Sequence, residues 1–182
     1  MIVPRPSQPN FLHHPYQHAS SIDHSKLVIT PADEVMARAA VNIRVSSEVD
    51  VMDAPLEVAF DWTALAKEMG EDVEGEWFVV AFRSIRRADA DSEKLYDADA
   101  RAHEEAKNSG GLLKYWYASL NERRQCLAMC IWANREWARL ANRKPYHIAA
   151  ARLASKMYET YSLSRYRLSK KAGESSFTLE KM

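Results

Sequence analysis

LLKYWYASLNERRQCLAMCIWANREWARLANRKPYHIAAARLA, residues 112–154, decides the fold. It reads as strand, loop, strand, short helix, then a longer helix entered through Lys144-Pro145. In CLAMCIWA, Cys126, Ala128, Cys130 and Trp132 point one way, and Leu127, Met129 and Ile131 point the other. Both faces are apolar, so this strand is covered on both sides. Asn134 is placed to cap REWARLA. Pro145 suits the first turn of the next helix. There His147, Ala150, Ala151, Ala154, Tyr158 and Tyr161 make one stripe at helical spacing.

Upstream, WFVVAFRS from Trp77 is a buried strand rich in aromatic and β-branched residues. Phe78, Val80 and Phe82 share one face. Trp77, Val79, Ala81 and Arg83 share the other, which puts a charge on an otherwise apolar surface. Leu95–Lys107 reads as a helix on Leu95, Ala98, Asp99, Ala102 and Ala106, with His103 beside the stripe. Asn108-Ser-Gly-Gly111 ends it. Downstream, LSRYRLS is a strand, and KKAGESSFTLEKM can add one more extended piece.

The order from Glu76 is therefore β-α-β-β-α-β, an α+β fold with a four-stranded antiparallel sheet of ferredoxin-like type. Its helices lie on one face. The other face should be wet, yet it is greasy. The simplest remedy is a second subunit packed sheet to sheet, closing a dimeric α/β barrel across a two-fold axis.

Residues 75–182 form this domain, preceded by an extension at 26–74. In the extension, Thr30-Pro31 starts a short helix with Asp33 and Glu34 in its first turn, reaching Ala40. Val41–Val51 alternates in part, as a strand would. Asp61 caps WTALAKEM, and Gly70 stops it. Residues 1–25 hold four of the seven prolines and His13, His14, His18 and His24, and are expected to be a disordered or draped tail. Those histidines lack acidic or thiol partners at fixed spacing, so no metal site is expected.

Composition narrows the function classes. Lys+Arg 25 balances Asp+Glu 25 in 182 residues, so no overall field draws nucleic acid or an anionic membrane. No apolar run reaches the roughly 18–20 residues of a membrane span, and MIVPRPSQPNFLHH has no apolar signal core. Cys126 and Cys130 lie about 13 Å apart along one strand, too far for a disulfide. Two core thiols in a reducing, cytoplasmic setting are expected.

CIWANREWARLANRKPYHIAAA resembles the region of the dimeric α/β-barrel (antibiotic-biosynthesis-monooxygenase-like) proteins where a strand ends in Trp, a short helix follows and Pro-x-His opens a helix. FVVAFRS, LYDADARAHEEA, SGGLLKYW, CIW and SRYRL together resemble a family of small fungal proteins, a likeness that implies no particular activity. That family's pattern has a Gly-Pro-Asp-type turn and an Asn-Leu-Ala-Thr-Cys strand where this chain has ASLNERRQ and CLAMC.

A barrel of this type places a small-molecule cavity between the sheet and its own helices. The Ala-rich stripe leaves volume there, to be ringed by Trp116, Tyr117, Trp132, Tyr158 and Tyr161. Arg83, His103, His147 and Tyr115 or Tyr117 are the polar contributors. His147, in a helix first turn, should stay neutral and serve as a base. His103 is a second proton carrier, with Asp99 at i−4 as its alternative partner. Arg83 suits a substrate carboxylate or enolate, unless it pairs with an acidic residue. No Gly-rich phosphate loop, Cys-x-x-Cys, His-Glu-x-x-His or Gly-x-Ser-x-Gly occurs.

The expected function is cofactor-independent acid–base chemistry on an apolar, oxygenated, natural-product-like small molecule: cyclisation, isomerisation or dehydration. Cofactorless oxygenation is the neighbouring option. A ligand-binding or scaffold protein on the same homodimer is the non-catalytic one.

Overall fold

The computed structural model describes residues 21–182. Five strands form one antiparallel sheet: β1 (Gly75–Arg86), β2 (Leu112–Tyr117), β3 (Gln125–Trp132), β4 (Tyr158–Lys170) and β5 (Thr178–Lys181). Their spatial order is β2-β3-β1-β4-β5. The first four make the expected ferredoxin-like arrangement, and β5 is the extended piece from the C-terminal tail.

Three helices cover one face: α4 (Ser92–Ser109), α5 (Arg135–Asn142) and α6 (Pro145–Met157). Asp91 caps α4 by accepting from the Lys94 N–H, which starts the helix three residues before the apolar stripe shows it. Asn134 accepts from the Glu136 and Trp137 N–H groups to cap α5. Phe78, Val80, Cys130 and Trp132 pack here against Ala106, Ala138 and Ala141.

Three more helices, α1 (Pro31–Ala39), α2 (Leu56–Ala59) and α3 (Trp62–Met69), lie on the opposite face. Thr30 and Asp33 form a full capping box around Pro31 at the start of α1. Met36, Leu56, Phe60, Trp62, Leu65 and Met69 join Trp77, Val79, Leu127, Met129, Ile131 and Leu168 in one core. Each such side chain contributes about 1.5–3 kcal/mol when fully buried. The apolar sheet face that the sequence reading gives to a second subunit is thus covered by the chain's own extension. That removes the reason for a face-to-face partner.

Polar pins fix this cap. Trp77 Nε1 donates to Asp33 Oδ1 at 2.9 Å. Lys114 Nζ donates to the Val41 carbonyl at 3.1 Å. Arg123 meets Asp53 at 2.7 Å and Asp50 at 3.3 Å. The buried Lys170 amine donates to the carbonyls of Glu71 and Val73.

Two local expectations change. Val41–Val51 is not a strand: a tight turn at 40–42 and one bridge, Val45 to Phe60, replace it. The stripe on α6 also stops short. The helix ends at Met157, and Tyr158 and Tyr161 belong to β4, opposite Arg86 and Ser84. The run YETYSLSRY, rich in aromatic and hydroxyl side chains, gains more from pairing with β1 than from another helical turn. Of the N-terminal tail, residues 1–20 and with them His13, His14 and His18 lie outside the described residues. Asp23 and Lys26 are docked on α5, the Asp23 N–H on Glu136 and the Lys26 carbonyl on Asn134.

Candidate functional site

The sheet face beneath α4 and α6 carries the candidate chemistry. Strand register makes rows across the sheet: Tyr115–Cys130–Val80, Tyr117–Ala128–Phe82 and Cys126–Ser84–Tyr161. None of the residues of α6 is buried. The floor below is correspondingly open: Phe82, Tyr115, Tyr158, Tyr161 and Leu163 are half-buried, and Tyr117 is 61% exposed. Tyr158 and Tyr161 stack with centroids 5.9 Å apart, and Tyr161 lies 6.2 Å from Phe82.

Along one side of α4 stand Ser92, Tyr96, Asp99 and His103, at i, i+4, i+7 and i+11. The Tyr115 hydroxyl donates to Asp99 Oδ1 at 2.8 Å. The His103 ring sits 4.8 Å from the Tyr115 ring, and the Tyr117 ring is 5.7 Å from it. Burial pushes the Tyr115 phenol far above its usual range, and the Asp99 charge and hydrogen bond push it further. The hydroxyl therefore stays protonated and acts as a donor. Burial also raises Tyr158 and both cysteines, with Arg86 opposing it at Tyr158 and Cys126. These thiols are not activated as nucleophiles.

His147 lies close by, in the first turn of α6. Its Nδ1 is 3.6 Å from Glu105 Oε2 and makes no hydrogen bond among the described residues. Burial lowers its pKa, while Glu105 and Asp99 pull the other way. Glu105 also accepts the Tyr146 and His147 N–H groups, at 3.3 and 3.0 Å. A carboxylate from α4 thus caps α6, whose own N-cap, Lys144, has no capping side chain.

The expected residues therefore divide. Tyr115, His103 and Tyr117 come together, and the field of Asp99 reaches both Tyr115 and His147. Tyr158 and Tyr161 lie on the same sheet face, held by β4. Arg83 does not join them. Its guanidinium points to the opposite face and donates to the carbonyls of Val51, Met52 and Ala54. Trp116 is on that side too, edge-to-face with Phe60 at 4.8 Å. Trp132 is a core residue, 3% exposed. The reason is strand parity: Arg83 and Trp116 alternate with Phe82 and Tyr115.

The space under α6 is an open aromatic floor rather than the closed cavity expected. A surface cleft of about 490 Å³ lies elsewhere, between the C-terminal half of α4 and the start of α6, where Arg101, Glu105, Asn108, Lys144 and Tyr146 line it. Among the described residues no three His, Cys, Asp or Glu side chains gather as a metal site would need. No helix among them is long and apolar enough to cross a membrane.

Asp99, which holds the Tyr115 hydroxyl, is not among the site residues expected from the sequence. Asp99 hid in an apolar stripe as the partner of His103. The signal was available in the spacing Ser92, Tyr96, Asp99, His103, a polar line beside the apolar one.

A family model covers nearly all of the chain, matching residues 12–181. The chain belongs to the PB2B2.08-like family. It is 34% identical over 106 residues to the UPF0643 protein PB2B2.08 of the fission yeast Schizosaccharomyces pombe. That match covers 55% of this chain and 48% of the yeast protein, about half the length of the relative. The fungal resemblance carried by FVVAFRS and SGGLLKYW is thereby established. Among solved structures, the chain is similar to SnoaB, a cofactor-independent oxygenase from Streptomyces nogalater, at 12% identity and a TM-score of 0.43. That likeness covers 55% of this chain and 99% of SnoaB. A dimeric ferredoxin-like protein of unknown function from Thermobifida fusca matches at 11% identity and a TM-score of 0.41, covering 50% and 90%.

Proposed function

We propose that the PB2B2.08-like chain is a cofactor-independent enzyme that moves protons on an apolar, oxygenated small molecule lying on the aromatic floor under α6. The observation that carries this is the Asp99–Tyr115 pair, with His103 against the Tyr115 ring, at the edge of that floor.

The chemistry follows from the groups. Asp99 takes a proton from a carbon beside a carbonyl. The protonated Tyr115 hydroxyl turns from Asp99 to the resulting enolate oxygen and stabilises its charge. Return of the proton at a second carbon is an isomerisation; loss of a neighbouring hydroxyl as water, carrying the proton from Asp99, is a dehydration; attack of the carbanion on a second carbonyl closes a ring, the new alkoxide taking that proton. Capture of the same carbanion by dioxygen is the oxygenase alternative. All of these groups come from one chain, so the reading needs no second subunit. Arg83 has no part in it.

The test uses 2-tetralone, a bicyclic ketone with acidic C–H bonds, in deuterated buffer. Deuterium wash-in is followed by NMR. Wild-type protein is expected to accelerate exchange, and Asp99→Asn and Tyr115→Phe to lose about 10²-fold of that acceleration. Dioxygen uptake with anthrone identifies the oxygenase alternative. Exchange no faster than in buffer, with no dioxygen uptake, overturns the enzymatic reading.

A further inference from the structure

At the β1 end of this floor three arginines sit close together, and two have carboxylates. Arg87 pairs with Asp89 at 2.9 Å, and Arg124 pairs with Glu159 at 2.6 Å. Both are on the surface. The third, Arg86, is buried at 8% exposure, and no carboxylate among the described residues reaches it. Its Nη1 donates to Ser92 Oγ at 3.0 Å and to the Tyr96 hydroxyl at 3.4 Å, and its Nε makes no hydrogen bond among the described residues. The neighbouring acid, Asp91, is engaged by Lys94 at 2.8 Å.

A buried guanidinium without a counter-charge is costly, and folds rarely keep one without a use for it. Here the guanidinium stands beside Ser92 in the first turn of an 18-residue helix. Tyr96 is its cover: the ring lies 4.9 Å over the guanidinium, yet is itself 57% exposed. Turning it away would open the site to the outside.

We infer that Arg86, with Ser92 and Tyr96, binds an anionic oxygen group of the small molecule, a carboxylate or an acidic enol or phenol, at the far end of the floor from Asp99. This rests on the proposed small-molecule site and names its substrate class. Ser92 and Asp99 are seven residues apart on α4, about 10 Å along the axis. That separation fits a two-ring aromatic scaffold with its charge at one end and the exchanging proton at the other. The Asp99 carboxylate would repel the anion if it bound in reverse, so the charge also fixes orientation.

The probes are 6-hydroxy-2-naphthoate and its neutral amide, 6-hydroxy-2-naphthamide, titrated by calorimetry into the full chain. The naphthoate is expected to bind on the order of tenfold to a hundredfold tighter. Arg86→Gln should erase that preference by weakening the naphthoate far more than the amide, and Arg86→Lys should retain part of it. The wild-type comparison stands by itself if Arg86→Gln does not fold. Equal affinity of wild-type protein for both probes overturns the anion site and leaves the proton-transfer reading intact. Naphthoate preference unchanged in Arg86→Gln overturns it as well. Failure of both probes to bind removes the floor as a site, and the anion site with it.

Discussion

Trp77 and Asp33 join the two halves of the molecule: the indole N–H on the central strand donates to the carboxylate on the first helix at 2.9 Å, and both side chains are buried. The same carboxylate holds the Thr30 N–H at 2.8 Å and the Thr30 hydroxyl at 2.9 Å. Replacing Asp33 with alanine removes a capping box and leaves a buried indole donor unpaired. The expected loss is about 2–3 kcal/mol in urea unfolding. Asp33→Asn, which keeps an acceptor, should lose less.

Arg83 is a structural clamp on the extension. Arg83→Met keeps the stem and removes the donors to the carbonyls of Val51, Met52 and Ala54. A loss of about 2 kcal/mol is expected, with ligand affinity on the other sheet face unchanged. A large fall in affinity at constant stability would return Arg83 to the site.

His147 gives stability a pH slope. Burial holds its folded-state pKa below its usual value. The unfolded chain therefore binds its proton first as pH falls. Stability is full at neutral pH and above, drops as pH passes below about 6.5, and levels off under the folded pKa. In His147→Gln this part of the slope should vanish. Urea midpoints measured from pH 8 to pH 5 check it.

Gly111 stands at φ +71 with the Trp137 side chain against it, so that an added Cβ would come within 2.0 Å of the indole Cγ. The left-handed backbone also disfavours any other residue. Gly111→Ala should cost about 3 kcal/mol or more, seen as a large fall in Tm or loss of soluble protein. Gly173, at φ +81 with open space around it, is the control, and alanine there should cost only about 1–2 kcal/mol.

The strands and helices of the main domain were legible because alternation and capping are local. CLAMCIWA, Asn134 and Pro145 each state their own geometry. What covered the second face was not local. The alternation shows that Trp77, Val79, Met129 and Ile131 need a cover, but Met36, Leu56 and Leu65 lie in short helices too weakly patterned to announce what they pack on. A second subunit and a chain-borne cap satisfy the same alternation. Arg83 was misplaced for a related reason. Its parity is legible, but its role depends on which face the extension covers, where it meets the carbonyls of Val51, Met52 and Ala54. Arg86 carries no local signal: that no carboxylate among the described residues reaches it is visible only in three dimensions.

The cap formed by residues 31–69 has a consequence for how the chain can change. In a two-fold dimer every substitution at the interface occurs twice, facing its own copy. Here the two sides of the contact are different segments, so each can vary against the other without that constraint. The contact also lies within a single chain, so dilution does not weaken it.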